Sequence, residues 1–269
     1  MFYINGVQTS DNALQNNAFL NGDAVKAYFF VKDSQLIMAE ECYFFLMASM
    51  RKMRMNIPLS FTLEYFTEVF TKAIRENHFS EGCIELLAYR NREENISAKT
   101  PVQFCFELIS NGNMLLIKGS LELDVMKEIH VNNNILSSIH THSPENIYAS
   151  IYASENELDE VILLNPEKRI ARTISGNILL LEGNVIKVPK QTEGAFISPL
   201  MENLVTFLFK NNLAQIEESE ISAFETQKAE EILMVSDRKG IFTVSKIRNK
   251  TFEGKRFQEM LTAWQNSFA

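Results

Sequence analysis

Two histidines separated by one residue, His140 and His142, stand where a strand would turn both imidazoles to the same side. With His130 they could ligate a metal, and a neutral imidazole can also pass a proton near neutral pH. No cysteine or carboxylate follows at a usual ligand spacing, so ordinary strand-end histidines are the simpler reading and no metal is expected. Asp159-Glu160 has the make-up of a general acid pair, yet a carboxylate pair just ahead of an apolar run more simply closes a loop. Arg172 is the third candidate. Buried in a cleft it could grip a carboxylate with two parallel N–H bonds, whereas on a surface strand it would pair with a nearby glutamate.

The elements that must position these groups can be read from spacing. Asn5-Gly6 marks a hairpin after Phe2-Tyr3-Ile4, and a polar loop leads to a strand from Ala24 to Val31 and a short one at Leu36-Ile37. Glu40 to Met53 contains no Gly or Pro and reads as helix. Ser60 to Glu76 is a second helix, with Leu63, Phe66, Phe70 and Ala73 on one stripe. Cys83 to Tyr89 and Val102 to Leu108 are strands, the latter alternating Val102, Phe104, Phe106 and Leu108 on one side.

Asn111-Gly112-Asn113 is the expected joint, giving units 1–112 and 113–269. Beyond it, strands are expected at Met114 to Ile117, Leu121 to Val125 and Glu128 to Val131, then a helix from Glu145 to Asn156. Four strands follow, at Val161 to Leu164, Arg169 to Thr173, Ile178 to Leu181 and Val185 to Val188. A helix from Met201 to Lys210, strands at Glu231 to Val235 and Ile241 to Val244, and a helix from about Phe252 complete the chain.

With 269 residues and 46% hydrophobic composition the chain can bury a substantial core. A net charge of -8 argues against affinity for nucleic acid, which needs a basic face. No apolar run approaches the roughly 18 residues of a membrane span, and the first residues lack a basic-then-apolar leader. Cys42, Cys83 and Cys105 are far apart, odd in number and without CxxC spacing, which reads as buried thiols in a reducing cytoplasm.

Several segments, taken in order, carry a likeness. They are Ile4-Asn5-Gly6, Asn21-Gly22-Asp23, LMASMRKMRMNIP from Leu46 to Pro58, Asp159 to Leu164, Gly176-Asn177-Ile178, Gly183 to Pro189 and Ala229-Glu230-Glu231. Over almost its whole length the chain resembles the class-IV aminotransferases. These are pyridoxal-phosphate enzymes of fold type IV that include branched-chain and D-amino-acid aminotransferases and 4-amino-4-deoxychorismate lyase. The resemblance implies an α+β fold of two α/β domains with a cofactor cleft between them, and a homodimer whose site draws on both subunits.

The site residues that the resemblance implies are another matter. By the resemblance the family's Schiff-base lysine falls at His140 when one single-residue deletion is assumed, and at Ile139 without it, within a stretch from Lys127 to Lys168 that holds no lysine between its ends. An imidazole forms no stable imine with an aldehyde. The phosphate-binding arginine falls at Phe45, and the glutamate facing the pyridine nitrogen falls at Arg172, five residues before Asn177. The phosphate-binding helix start reads Ser198-Pro199-Leu200-Met201, where proline removes a donor, and the late threonine pair reads Val235-Ser236. The early Arg-Gly reads Asn17-Ala18.

These substitutions lead to the expectation of a non-catalytic or repurposed homologue with no cofactor. Its remnant cleft, at Phe45, His140, Arg172, Asn177, Ser198 and Ser236, could take a small anionic ligand. Two alternatives stay open. One is a working pyridoxal-phosphate lyase or branched-chain aminotransferase using another lysine, such as Lys127 or Lys118. The other is a cofactor-free enzyme with His140 or His142 as acid or base.

Overall fold

The computed structural model describes residues 2–4, 7–9, 16–93 and 95–268. The chain begins with antiparallel strands β1 (Phe2–Ile4) and β2 (Val7–Thr9). The Asn5-Gly6 turn expected between them lies outside the described residues. A short helix, α1 (Asn17–Asn21), occupies part of the expected polar loop and ends on Gly22 at φ 64°. A β-carbon there would lie 2.9 Å from the side chain of His142, so both the left-handed backbone and the close approach favour glycine.

The first sheet is built from β3 (Ala24–Lys32), β4 (Gln35–Ile37), β5 (Gly82–Arg90) and β6 (Val102–Ile109), in the order β4-β3-β5-β6. Helices α2 (Ala39–Lys52) and α3 (Leu63–Glu76) cover it. Thr62 caps α3 by accepting the Tyr65 N–H at 3.2 Å. Of the expected apolar stripe, Phe66 and Phe70 are fully buried against Phe29 of β3, with ring centroids 6.4 and 4.7 Å away, while Leu63 and Ala73 are only half-buried and Ile74 completes the inward face. The alternation of β6 turns Phe104 and Phe106 onto this cluster, which by the same period of two leaves Cys105 exposed. Only Cys42 and Cys83 are the buried thiols expected of all three.

The second sheet begins with β7 (Ile117–Val125), one strand where two short ones were expected. Residues 126–139 are irregular, so the strand expected at 128–131 does not form. Its natural neighbour, β9 (Glu160–Leu164), is already paired with β7 on one edge and β10 (Ile170–Thr173) on the other. Only isolated bonds remain, such as Val131 N–H to Leu164 O at 2.9 Å.

Between β7 and β9 come β8 (His140–Thr141) and helix α4 (Pro144–Glu155). The sheet continues with β11 (Asn177–Glu182), β12 (Val185–Pro189), β13 (Gln215–Ser219), β14 (Glu231–Ser236), β15 (Gly240–Ile247) and β16 (Lys250–Thr251), and helices α5 (Pro199–Lys210) and α6 (Lys255–Gln265) complete it. Its order is β10-β9-β7-β15-β14-β11-β12-β13, with β16 on β15. The central strands β9, β11 and β14 are almost wholly buried, which explains their continuous apolar runs. β13 went unrecognised because, as an edge strand, it turns little but Ile216 inward.

β8 is the exception to this partition. It leaves the second half of the chain to pair with β3 of the first sheet, Lys26 opposite His140 and Val25 opposite Thr141. One hydrophobic cluster runs through both sheets, from Phe29 and Phe66 to Leu181, Leu233 and Trp264.

Candidate functional site

The two-residue strand β8 sets His140 beside a cavity of about 750 Å³. Strand alternation along β3 turns Ala24, Lys26 and Tyr28 to the same cavity. The end of β10 supplies Arg172, the following turn Ser175, and the turn after β14 supplies Arg238 and Lys239.

The imidazole of His140 is enclosed by rings, with Phe196 at 4.2 Å, Tyr28 at 5.5 Å and Phe45 at 5.9 Å between centroids. Its Nε2 faces Oδ2 of Asp237 at 3.9 Å, and neither buried atom has a hydrogen-bond partner among the described residues. The other oxygen of Asp237 is fully engaged. Oδ1 accepts from Ser198 Oγ at 2.6 Å and from Leu200 N–H at 3.2 Å, while Ser198 Oγ accepts the Met201 N–H at 3.2 Å. The N-terminus of α5, where free N–H groups and the helix dipole would attract an external anion, is therefore occupied by a carboxylate of the chain itself.

Arg172 is buried, with 4% of its surface exposed. Its Nη1 donates to the carbonyls of Thr173 and Ile174 at 3.0 and 3.4 Å, and its guanidinium carbon lies 4.3 Å from the centre of the Phe196 ring. Burial pushes its pKa down to about 10, with Glu145 and Glu160 acting in the opposite sense, so it stays charged at neutral pH. It has no ion-pair partner among the described residues, which removes the expected alternative of a surface arginine paired with glutamate. Burial, and secondarily Glu85, raises the Tyr28 phenol far above its usual range and keeps it protonated at neutral pH.

The other expected cleft positions lie behind this surface. Asn177 clamps the backbone of Phe196, donating to its carbonyl at 2.8 Å and accepting its N–H at 3.0 Å, and so fixes that ring between His140 and Arg172. Ser236 ties the turn, donating to Ser175 O at 2.7 Å and accepting from Lys239 N–H at 3.1 Å. Phe45 lines a second cavity of about 480 Å³ between α2 and α5. Of the six expected positions, only His140 and Arg172 line the larger cavity.

His130 and His142 do not join His140 in a metal cluster; among the described residues no three His, Cys, Asp or Glu side chains are placed to hold one. Asp159 accepts the Glu122 N–H at 2.8 Å and closes its loop, whereas Glu160 is buried inside β9 and organises the 174–176 turn. Sequence reasoning missed Asp237 and Phe196 as site residues, and it read Glu160 as closing a loop where that residue instead anchors the turn behind the cavity. Asp237 follows directly on Val235-Ser236 and was within reach of a longer reading of that segment.

Comparisons with known proteins now bear on this geometry. The sequence pattern of the family Amino-transferase class IV matches residues 45–247. The chain belongs to this family. Among curated proteins none matches the chain by sequence. Solved structures confirm the fold. A branched-chain aminotransferase from Thermoproteus uzoniensis superposes with a TM-score of 0.85 at 16% identity, covering 96% of this chain and 89% of its own. 4-Amino-4-deoxychorismate lyase from Pseudomonas aeruginosa gives 0.80 at 14%, covering 98% of each chain. A hypothetical aminotransferase from Mycobacterium tuberculosis in a PLP-bound form gives 0.81 at 14%, covering 99% of this chain and 96% of its own. Among the described residues no helix is long and apolar enough to cross a membrane.

These findings correct the expectation that no cofactor belongs to this scaffold: class-IV aminotransferases are pyridoxal-phosphate enzymes, and a PLP-bound structure shares this fold over nearly the whole chain. The residues of this cleft do not fit that molecule in the covalent, phosphate-seated mode. The α5 N-terminus, the phosphate seat that the resemblance implies, already holds the Asp237 carboxylate. Two lysines do line the cavity, Lys26 and Lys239, but each Nζ is ion-paired at 2.7 Å, to Glu85 and Glu160 respectively. The lysines expected as substitutes do not line it: Lys118 donates to Asn111 O and Met114 Sδ, and Lys127 is exposed in the 126–139 segment.

Proposed function

We propose that this chain is a repurposed member of the class-IV aminotransferase family that uses its cleft for recognition and catalyses neither amine transfer nor the lyase reaction. The observation that carries this reading is the Asp237 carboxylate seated on Ser198 Oγ and Leu200 N–H at the start of α5. A phosphate brought to the same N–H groups would meet a buried negative charge, a repulsion of several kcal/mol. The test supplies purified protein with pyridoxal phosphate, an amino donor and a keto acid, and in parallel with 4-amino-4-deoxychorismate. Turnover no faster than that of free pyridoxal phosphate is expected. Protein-dependent turnover would overturn the reading.

A second reading is favoured by one observation, the presence of Lys239 and Lys26 on the cavity wall. In a working enzyme one of these amines would serve, and Lys239→Ala or Lys26→Ala would abolish the protein-dependent turnover.

We infer also that the chain is cytoplasmic, in keeping with three free cysteines, and that it pairs with a second copy. Support for pairing comes from α4, which exposes Ile147, Tyr148 and Ile151 next to the cleft mouth, and from Ile135, which is 71% exposed. Light scattering should give twice the chain mass of 30.8 kDa, reduced to the monomer by Ile147→Glu with Ile151→Glu. A monomeric native protein would refute the pairing.

A further inference from the structure

We infer that the cleft is a binding site for a small organic carboxylate seated on Arg172. This rests on the repurposed reading above and adds the chemistry of the ligand to it.

A buried guanidinium without a countercharge is costly, and folded proteins rarely leave one so. Every other cation on the cavity wall has its carboxylate. Lys26 and Arg238 share Glu85 at 2.7 and 2.9 Å, and Lys239 holds Glu160 at 2.7 Å. Those three side chains are also 42%, 53% and 47% exposed, so water screens them. Arg172 has neither relief. It is 4% exposed, lines the cavity and lacks an ion pair among the described residues.

The guanidinium's hydrogen bonds show which edge remains for a ligand. Nη1 is engaged by the carbonyls of Thr173 and Ile174, while Nε and Nη2 donate to nothing among the described residues. The Nε–Nη2 edge is the pair of parallel donors that matches the two oxygens of a carboxylate. Phe196 covers one face of the group and supplies a favourable cation–π contact, which holds the plane but contributes no negative charge.

The rest of the wall selects the kind of anion. Ser137, whose Oγ accepts the Asn134 N–H, and Asn146, which gives one amide N–H to Ile174 O, keep a neutral donor on this wall, whereas the Ser143 and Ser175 hydroxyls donate to Glu145 and Glu160. The volume of about 750 Å³ suits a small organic molecule. A phosphate is disfavoured on two counts: Asp237 already occupies the helix N-terminus, and Glu145 stands in the same wall. Glu145 and Glu160 favour the charged guanidinium from a distance but neither forms an ion pair with it among the described residues, so the open fork calls for one negative charge in direct contact.

Isothermal titration calorimetry of the full chain with benzoate, glutarate, benzamide and inorganic phosphate tests this. Benzoate or glutarate should bind saturably at one site per chain, and benzamide, the uncharged counterpart of benzoate, about tenfold or more weaker. Arg172→Gln should weaken the carboxylate by about tenfold or more, and Arg172→Lys should restore only part of it, because it returns the charge without the fork. The inference is overturned if neither carboxylate saturates in the millimolar range, if benzamide matches benzoate, if phosphate binds more tightly than either acid, or if Arg172→Gln leaves the affinity unchanged. Should the variants misfold by circular dichroism, the carboxylate-to-amide comparison on the unaltered protein decides alone. Turnover with carboxylate binding intact would sink the functional reading and spare this one; absence of both would sink this one and spare the other.

Discussion

Asp237→Ala is expected to destabilise the protein by about 2–4 kcal/mol, because it strips the acceptor from two buried donors at once. Ser198 Oγ and Leu200 N–H both lie at the first turn of α5, and Pro199 between them has no N–H to lose. Asp237→Asn keeps a carbonyl oxygen at the Oδ1 position and should cost about 1 kcal/mol. Urea unfolding followed by tryptophan fluorescence measures both, since Trp264 is fully buried and bonded to Asn203 of α5 at 2.9 Å. A second consequence separates a mere loss of packing from an emptied anion seat. With its internal carboxylate removed, the helix start should accept an external anion, so added phosphate should stabilise the alanine variant more than the parent. Equal stability of all three proteins, or an equal phosphate effect on parent and variant, would show that Asp237 does not fill an anion seat.

The fold was more legible in the sequence than the site was. Helices α2 and α3, the Val102–Leu108 alternation and the buried runs of β9, β11 and β14 were all visible, because each is a local pattern whose period states which side faces the core. The 126–139 segment and β13 were not. Whether residues form a strand there depends on whether a sheet edge is free, and that is settled by parts of the chain far away.

The site shows the same division. His140 and Arg172, singled out through the resemblance, line one cavity, but the partner that gives His140 its setting, Asp237, lies 97 positions on. Phe196 stands between the two only because Asn177, from another strand, clamps its backbone. Cys105 is a case where the information was present. The alternation that sends Phe104 and Phe106 inward requires the residue between them to face the other way.

Glu160→Ala should have the larger effect of the two carboxylate removals, about 3–5 kcal/mol, since more buried donors converge on this side chain. Glu160 is 1% exposed. Its Oε2 accepts the backbone N–H groups of Ile174 and Ser175 at 3.0 and 3.3 Å, and its Oε1 accepts from the Ser175 hydroxyl and, at 2.7 Å, from Lys239 Nζ. The same turn holds the site: Ile174 O receives Arg172 Nη1, and Ser175 O receives Ser236 Oγ. Loosening it should therefore lower the affinity for benzoate or glutarate together with the stability, even though Glu160 is not among the residues lining the cavity. Lys239→Ala supplies the control. That lysine is 47% exposed, and removing it leaves the backbone donors in place, so about 1 kcal/mol or less should be lost. Equal losses for Glu160→Ala and Lys239→Ala in urea unfolding would mean that the ion pair, and not the pair of backbone N–H groups, fixes the turn that presents Arg172 to the cleft.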